Sequence, residues 1–304
     1  WASQLLSDLT RFAGVVLAPK RRSLAFRHIE FLKLNEKRVL LIMSLFACLR
    51  GFAAADTVLV FSKSMKKDIK AVIITPAGYK NSNRSYPVVY LLHGYSGDHS
   101  NWIKRVPAID SLANVYQMII VCPDAGRSSW YFDSPADTAS RYETFVSREL
   151  VAFVDSRYGT IPAREARAIT GLSMGGHGAL YLAFRHQDVF GVAGSMSGGV
   201  DIRPFPLNWE MAKWLGSYAT HPDNWEHNTV INNIHLLTPR LLAILIDCGT
   251  EDFFYDVNVK LHEKLLYNKI PHDFITRPGA HDWKYWMNAV VYQLTFMSRY
   301  FNKE

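Results

Sequence analysis

The pentapeptide Gly171-Leu172-Ser173-Met174-Gly175 is the strongest chemical signal in the chain. A serine hydroxyl is a weak nucleophile, and it attacks a carbonyl carbon only when a base takes its proton and a carboxylate orients that base. The flanking glycines permit a sharp, strained turn that presents such a serine at a sheet edge. On residue frequencies alone Gly-x-Ser-x-Gly is a weak pattern, so its setting decides its meaning. Ala166 to Thr170 reads as a strand and Gly176 to Leu180 as a helix, which is the strand-turn-helix context such a nucleophile needs.

Two later loops offer the partners. The apolar run ending Ile246-Asp247-Cys248-Gly249-Thr250-Glu251-Asp252 places acids just past a strand. Asp252, three residues beyond Gly249, is the expected acid, with Glu251 and Asp256 as alternatives and Asp247 still inside the strand. His281, in Pro278-Gly279-Ala280-His281-Asp282-Trp283, follows the next strand in a Pro-Gly turn and is the expected base. His272 precedes that strand and belongs to the opposite sheet edge, while His177 is expected to pack under the serine turn. A tetrahedral oxyanion needs two preset N–H donors. Met174 supplies one, and Tyr95, in His93-Gly94-Tyr95-Ser96-Gly97, is expected to supply the other. Read instead as metal ligands, His93 and His99 lack a third ligand at a standard spacing. The chemistry itself calls for no metal or organic cofactor.

These residues need a scaffold that brings several strand ends to one edge. Short runs rich in Val, Ile and Tyr alternate with helical patterns, the signature of a mainly parallel sheet covered on both faces. Strands are predicted at 57–62 and 69–75 as an antiparallel opening, then at 88–92, 118–121, 168–169, 189–194, 242–246 and 273–276. Helices are predicted at 139–157, 175–186, 256–268 and 283–301. The stretch 199–240, carrying Trp209, Trp214 and Trp225, is too long for a plain crossover and is expected to be an insertion over the site. Cys122 and Cys248 end apolar runs on strands that should not be neighbours, so both are expected to be free and buried.

Four separated motifs, Leu91-Leu92-His93-Gly94, Gly171 to Gly178, Asp247 to Asp252 and Pro278 to Trp283, resemble the esterase D family of α/β-hydrolases in the family's own order. That family includes tributyrin-type esterases, S-formylglutathione hydrolases, feruloyl and acetylxylan esterases, and mycolyltransferases. The resemblance runs from about Asp56 to Phe301 and implies the α/β-hydrolase fold and carboxylester hydrolysis. It implies the same roles for Ser173, Asp252, His281 and the amides of Tyr95 and Met174. Ser128 to Asp133 is similar to the family's loop beside the active site, which puts Trp130 and Tyr131 forward as substrate contacts. The expected substrate is a short-chain acyl ester, acetyl or feruloyl, linked to carbohydrate. The same three residues could instead pass the acyl group to a sugar acceptor. A surface binder that merely keeps the fold is the reading from another class, and the intact Ser173, Asp252 and His281 stand against it.

The 304 residues carry 34 Lys plus Arg against 27 Asp plus Glu, a net +7 that invites nucleic acid or an anionic membrane as partner. The charge is not evenly spread. Residues 1–55 hold nine Lys plus Arg and three Asp plus Glu, a net +6, which leaves +1 for 56–304 and no reason to expect nucleic acid. Within that prefix, Lys37-Arg38, an apolar run over 39–49 and Ala53 to Ala55 form the layout of a secretory signal peptide over 37–55, with lipid attachment at Cys48 as a lesser alternative. Eleven largely apolar residues ended by Arg50 are too few for a stable membrane span, which takes about 20. Export disfavours formylglutathione as substrate, because that thiol is chiefly intracellular. Residues 1–36 remain unassigned, and 56–304 is expected to be a single catalytic domain.

Overall fold

The computed structural model describes residues 54–302 of the chain. Eight strands form one sheet: β1 (Ala54–Ser62), β2 (Lys67–Thr75), β3 (Val88–Leu92), β4 (Ile119–Pro123), β5 (Arg167–Gly171), β6 (Val192–Met196), β7 (Ala243–Gly249) and β8 (Asp273–Arg277). Their order is β1-β2-β4-β3-β5-β6-β7-β8. The first two pair antiparallel, β2 meets β4 antiparallel, and every later pairing is parallel. The helices are α1 (Asn101–Arg105), α2 (Ile109–Val115), α3 (Tyr142–Thr144), α4 (Val151–Arg157), α5 (Met174–Arg185), α6 (Met211–Leu215), α7 (Pro222–His227), α8 (Tyr255–Tyr267) and α9 (Trp283–Phe301), with a π turn, Phe145–Leu150, joining α3 to α4.

Parallel strands whose crossovers are helices are buried on both faces, as β3 to β6 are, while the edge strand β8 is partly exposed. In β3, Val88, Tyr90 and Leu92 point into one core layer while Val89 and Leu91 point into the other. The first layer packs α4, α5 and α8 on the sheet, and the second packs α1, α2 and α9. The expected α/β-hydrolase fold is therefore the observed one. Cys122 and Cys248 lie buried and free on β4 and β7, which are not neighbours.

The differences lie in the connections. Helices α1 and α2 have no counterpart in the sequence reading, because five and seven residues are too short to display a helical period. The 199–240 stretch, expected as an insertion, holds α6, α7 and a 3-10 turn, Val230–Leu236, joined by loops. At the front, β1 begins at Ala54, so Ala54 and Ala55 pair with Thr75 and Ile74 at the end of the ladder. The rest of the expected export segment, Cys48 and the 1–36 extension lie outside the described residues. Among the described residues no helix is long and apolar enough to cross a membrane.

Candidate active site

Ser173 occupies the turn between β5 and α5 with φ 54° and ψ −117°, a conformation that costs a non-glycine residue on the order of 1–3 kcal/mol. The neighbourhood holds it there. The Ser173 N–H donates to Met196 O at 2.9 Å, and the N–H of His177 returns to Ser173 O at 3.0 Å. Gly175 has no space for a side chain, since a Cβ would meet His93 O and Leu92 O at 2.6 Å each. This close approach of helix to strand explains why the turn needs glycine beside the serine.

Asp252 sits in the turn after β7, where the N–H of Asp252 donates to Gly249 O at 3.1 Å and Phe254 N–H donates to its carboxylate at 2.8 Å. Its side chain is buried. His281, in the turn after β8, places Nδ1 2.9 and 2.8 Å from the two Asp252 carboxylate oxygens and Nε2 2.9 Å from Ser173 Oγ. With a carboxylate at Nδ1, that nitrogen carries the proton, which leaves Nε2 as acceptor for the serine hydroxyl. The expected nucleophile, acid and base thus come together from three different strand ends. Glu251, one residue before Asp252, is exposed, and Asp247 lies inside β7, bound to Arg277 and Tyr285.

The two expected oxyanion donors flank the serine. Tyr95 lines the cleft and Met174 opens α5, and among the described residues neither N–H has a hydrogen-bond partner. His93 is not poised for a metal. It is buried, its Nε2 accepts from Ala125 N–H at 2.9 Å, and its Nδ1 donates to Gly94 O at 2.8 Å. His99 pairs with Asp124 at 3.2 Å. His177 packs under the turn, where Nδ1 donates to Gly199 O at 3.0 Å and the ring stacks on Tyr181. Burial pulls its pKa down to about 4, so it is neutral at ordinary pH.

Trp130 and Tyr131 require a correction. Both are buried rather than in the cleft, at 1% and 0% exposure. Their backbones adopt left-handed φ values of 53° and 64°, which turn both rings inward against α5. Tyr131 packs over Gly178, where a Cβ would lie 2.4 Å from its ring, and Trp130 meets His177 edge-on. Their role is bracing: Tyr131 donates its hydroxyl to His93 O at 3.0 Å, beneath the oxyanion loop, and Trp130 Nε1 donates to Trp209 O at 3.3 Å. Of the tryptophans in the 199–240 stretch, Trp225 is core, Trp214 binds Ser128, and Trp209 reaches the cleft.

The cleft over Ser173 encloses about 290 Å³ and has aromatic walls. Phe253 lies against His281 with ring centroids 4.1 Å apart and stacks on Trp209 at 5.7 Å. Trp283 and Trp286 also line it, with Trp286 edge-on to His281, and Asn101 adds a polar group. The sequence reading missed Phe253, Trp283, Trp286 and Asn101. The first three stand within a few residues of the acid and base, and that proximity was the available signal.

The parallel sheet, the serine turn and this geometry define an α/β-hydrolase. Residues 62–297 match the family model described as "Putative esterase", and the chain belongs to that family. A ferulic acid esterase structure superposes with a TM-score of 0.72 at 30% identity, covering 82% of this chain and 99% of the other. An acetyl esterase of Caldicellulosiruptor saccharolyticus is 24% identical over 258 residues, 79% of this chain and 96% of that protein. The diacylglycerol acyltransferase/mycolyltransferase Ag85B of Mycobacterium leprae is 28% identical over 266 residues, covering 74% of this chain and 77% of that one. The esterase Rv1288 of Mycobacterium tuberculosis is 33% identical over 133 residues, and the chain spans only 29% of that protein's length. Residues 1–46 match a second model, HrcA protein C terminal domain, which overlaps the start of the expected export segment.

Proposed function

We propose that the protein is a serine carboxylesterase acting on short-chain acyl esters of carbohydrate through an acyl-enzyme on Ser173. The observation that carries this reading is the continuous relay from Asp252 through His281 to Ser173 Oγ, with contacts of 2.8 and 2.9 Å. His281 Nε2 takes the hydroxyl proton as Oγ attacks the ester carbonyl. The Tyr95 and Met174 amides receive the developing oxyanion. His281 then protonates the departing alcohol, which leaves the acyl group on Ser173. Water enters on the alcohol side and gives a proton to the same nitrogen as its oxygen attacks the acyl carbonyl; the bond to Ser173 Oγ then breaks, His281 returns the proton to Oγ, and the acid leaves. Asp252 holds the imidazole's orientation and favours its charged form.

The acetyl and feruloyl choice draws on the names of two relatives and on the cleft. Its aromatic walls and about 290 Å³ suit a small acyl group or one aryl ring. The mycolyltransferase relative favours asking whether a sugar competes with water for the acyl-enzyme. The deciding experiment is hydrolysis of acetyl, butyryl and feruloyl esters with free acid and sugar ester both quantified. Free acid should dominate. A sugar ester as the main product would make the protein a transferase, and no turnover of any ester would remove the enzymatic reading. Export is proposed from the 37–55 layout, and the N-terminus of the mature protein tests it.

A further inference from the structure

A second cavity of about 340 Å³ lies behind the wall of the catalytic cleft. The partition is a polar bridge. Tyr95, which lines the cleft, donates its hydroxyl to Glu210 at 3.3 Å, and Arg127 donates to both the Tyr95 oxygen and Glu210 at 3.3 Å. Arg127 and Glu210 in turn line the second cavity. Trp209 and Glu210 are consecutive residues, both with left-handed φ (50° and 58°), so one strained dipeptide gives a wall to each space.

The hydrogen-bonding capacity of this cavity is unbalanced. Of its two carboxylates, Glu210 is engaged by Ser128, Arg127 and Tyr95, while Asp137 accepts from the N–H of Ala139 and, among the described residues, pairs with no cation. The Ser128 hydroxyl bond in particular holds the Glu210 carboxyl below its usual range, so it stays charged and satisfied. The cations are not matched in this way. Among the described residues the side chain of Lys67, exposed, meets the Tyr142 hydroxyl and ring, and that of Lys213, also exposed, meets the Trp214 ring at 4.4 Å. Ser140, on the cavity wall, is 5% exposed, and among the described residues its hydroxyl has no partner. A buried hydroxyl without a partner is costly, and three cations against two carboxylates leave the lining one positive charge in excess, carried by the exposed Lys67 and Lys213.

We propose that this second cavity binds a hydroxylated carboxylate, a uronate residue of the same polysaccharide that carries the ester. Lys67 and Lys213 receive the carboxylate and Ser140 a ring hydroxyl, while the Tyr95–Arg127–Glu210 bridge separates recognition from chemistry. The proposal rests on the carbohydrate-ester reading for its biological sense, but its test is a binding measurement that does not need turnover. The full chain is titrated with D-glucuronate, D-glucose and inorganic phosphate, and Lys213→Ala and Ser140→Ala are compared.

Glucuronate should bind at millimolar concentration, with glucose and phosphate each at least about tenfold weaker. Lys213→Ala should weaken glucuronate about five- to tenfold and Ser140→Ala by less, both with unchanged kcat/KM on p-nitrophenyl acetate. Equal binding of glucose or of phosphate, no binding of glucuronate, or glucuronate binding indifferent to Lys213 would each overturn it. Absence of p-nitrophenyl acetate hydrolysis would instead count against the esterase reading and leave the titration to stand alone.

Discussion

The backbone N–H of Glu251 donates to the carbonyl oxygen of Gly279 at 2.9 Å, so the turn that carries Asp252 is hydrogen-bonded directly to the turn that carries His281. A second bond, Thr250 N–H to Arg277 O at 2.9 Å, completes the tie. The acid–base distance is thus set by the backbone, ahead of any side-chain adjustment.

This tie leaves no room at Gly249, where a Cβ would lie 2.2 Å from Gly279 O. Gly249→Ala should cost about 1–3 kcal/mol by overpacking and, by moving His281 relative to Asp252, lower kcat/KM by roughly 10²-fold. Urea unfolding and ester hydrolysis on the same preparation check both. Wild-type kinetics in this variant would uncouple the tie from catalysis.

Asp247 anchors the same region from below. It is fully buried in β7, accepts from Tyr285 and lies 2.8 Å from Arg277. Burial raises its pKa, while those two partners pull it back down. Asp247→Ala leaves the Tyr285 hydroxyl and the Arg277 charge without their acceptor, and should destabilise by about 3 kcal/mol. The shift in urea midpoint tests this, and a midpoint unchanged within error would contradict it.

His177 gives a pH dependence of known sign. Its pKa falls from 6.5 in the unfolded chain to about 4 in the fold, so the native state favours the neutral ring. Below about pH 6.5 the unfolded state gains a proton that the native state refuses, and stability therefore falls as pH drops from 6.5 to 4. The difference corresponds to roughly 3 kcal/mol at most. Urea midpoints of wild type and His177→Gln at pH 7 and pH 4.5 isolate it, because the glutamine variant lacks this part of the slope. Parallel slopes would show that His177 does not titrate as described.

Trp209 is the aromatic face that the insertion lends to the cleft. Trp209→Ala should raise KM for a feruloyl ester about five- to tenfold, worth roughly 1–1.5 kcal/mol of ring contact, and change KM for an acetyl ester little. Equal effects on the two esters would remove Trp209 from acyl recognition.

The legible part of this molecule was its regular part. All eight strands, the helices α5, α8 and α9 and the helical run 142–157 were readable, because strands here are short apolar runs between turn signals and long helical runs repeat their pattern. Ser173, Asp252 and His281 were readable because each follows a recognisable strand, and strands that run parallel present those ends at one edge. Trp130 and Tyr131 were misplaced for the opposite reason. Two consecutive left-handed residues reverse the side-chain directions that any loop pattern suggests, and the space at Gly178 that receives Tyr131 is visible only in three dimensions. Likewise the Arg127–Glu210–Tyr95 bridge joins residues up to 115 apart in sequence, and no local pattern announces it.

The most direct test compares wild type with Ser173→Ala on p-nitrophenyl acetate, with the wild-type protein treated in parallel with a fluorophosphonate and the modified peptide identified. Ester hydrolysis through Ser173 requires wild-type turnover, a loss of at least about 10³-fold in the variant, and label on Ser173 alone. Full activity in Ser173→Ala, or a label on another residue, would contradict it.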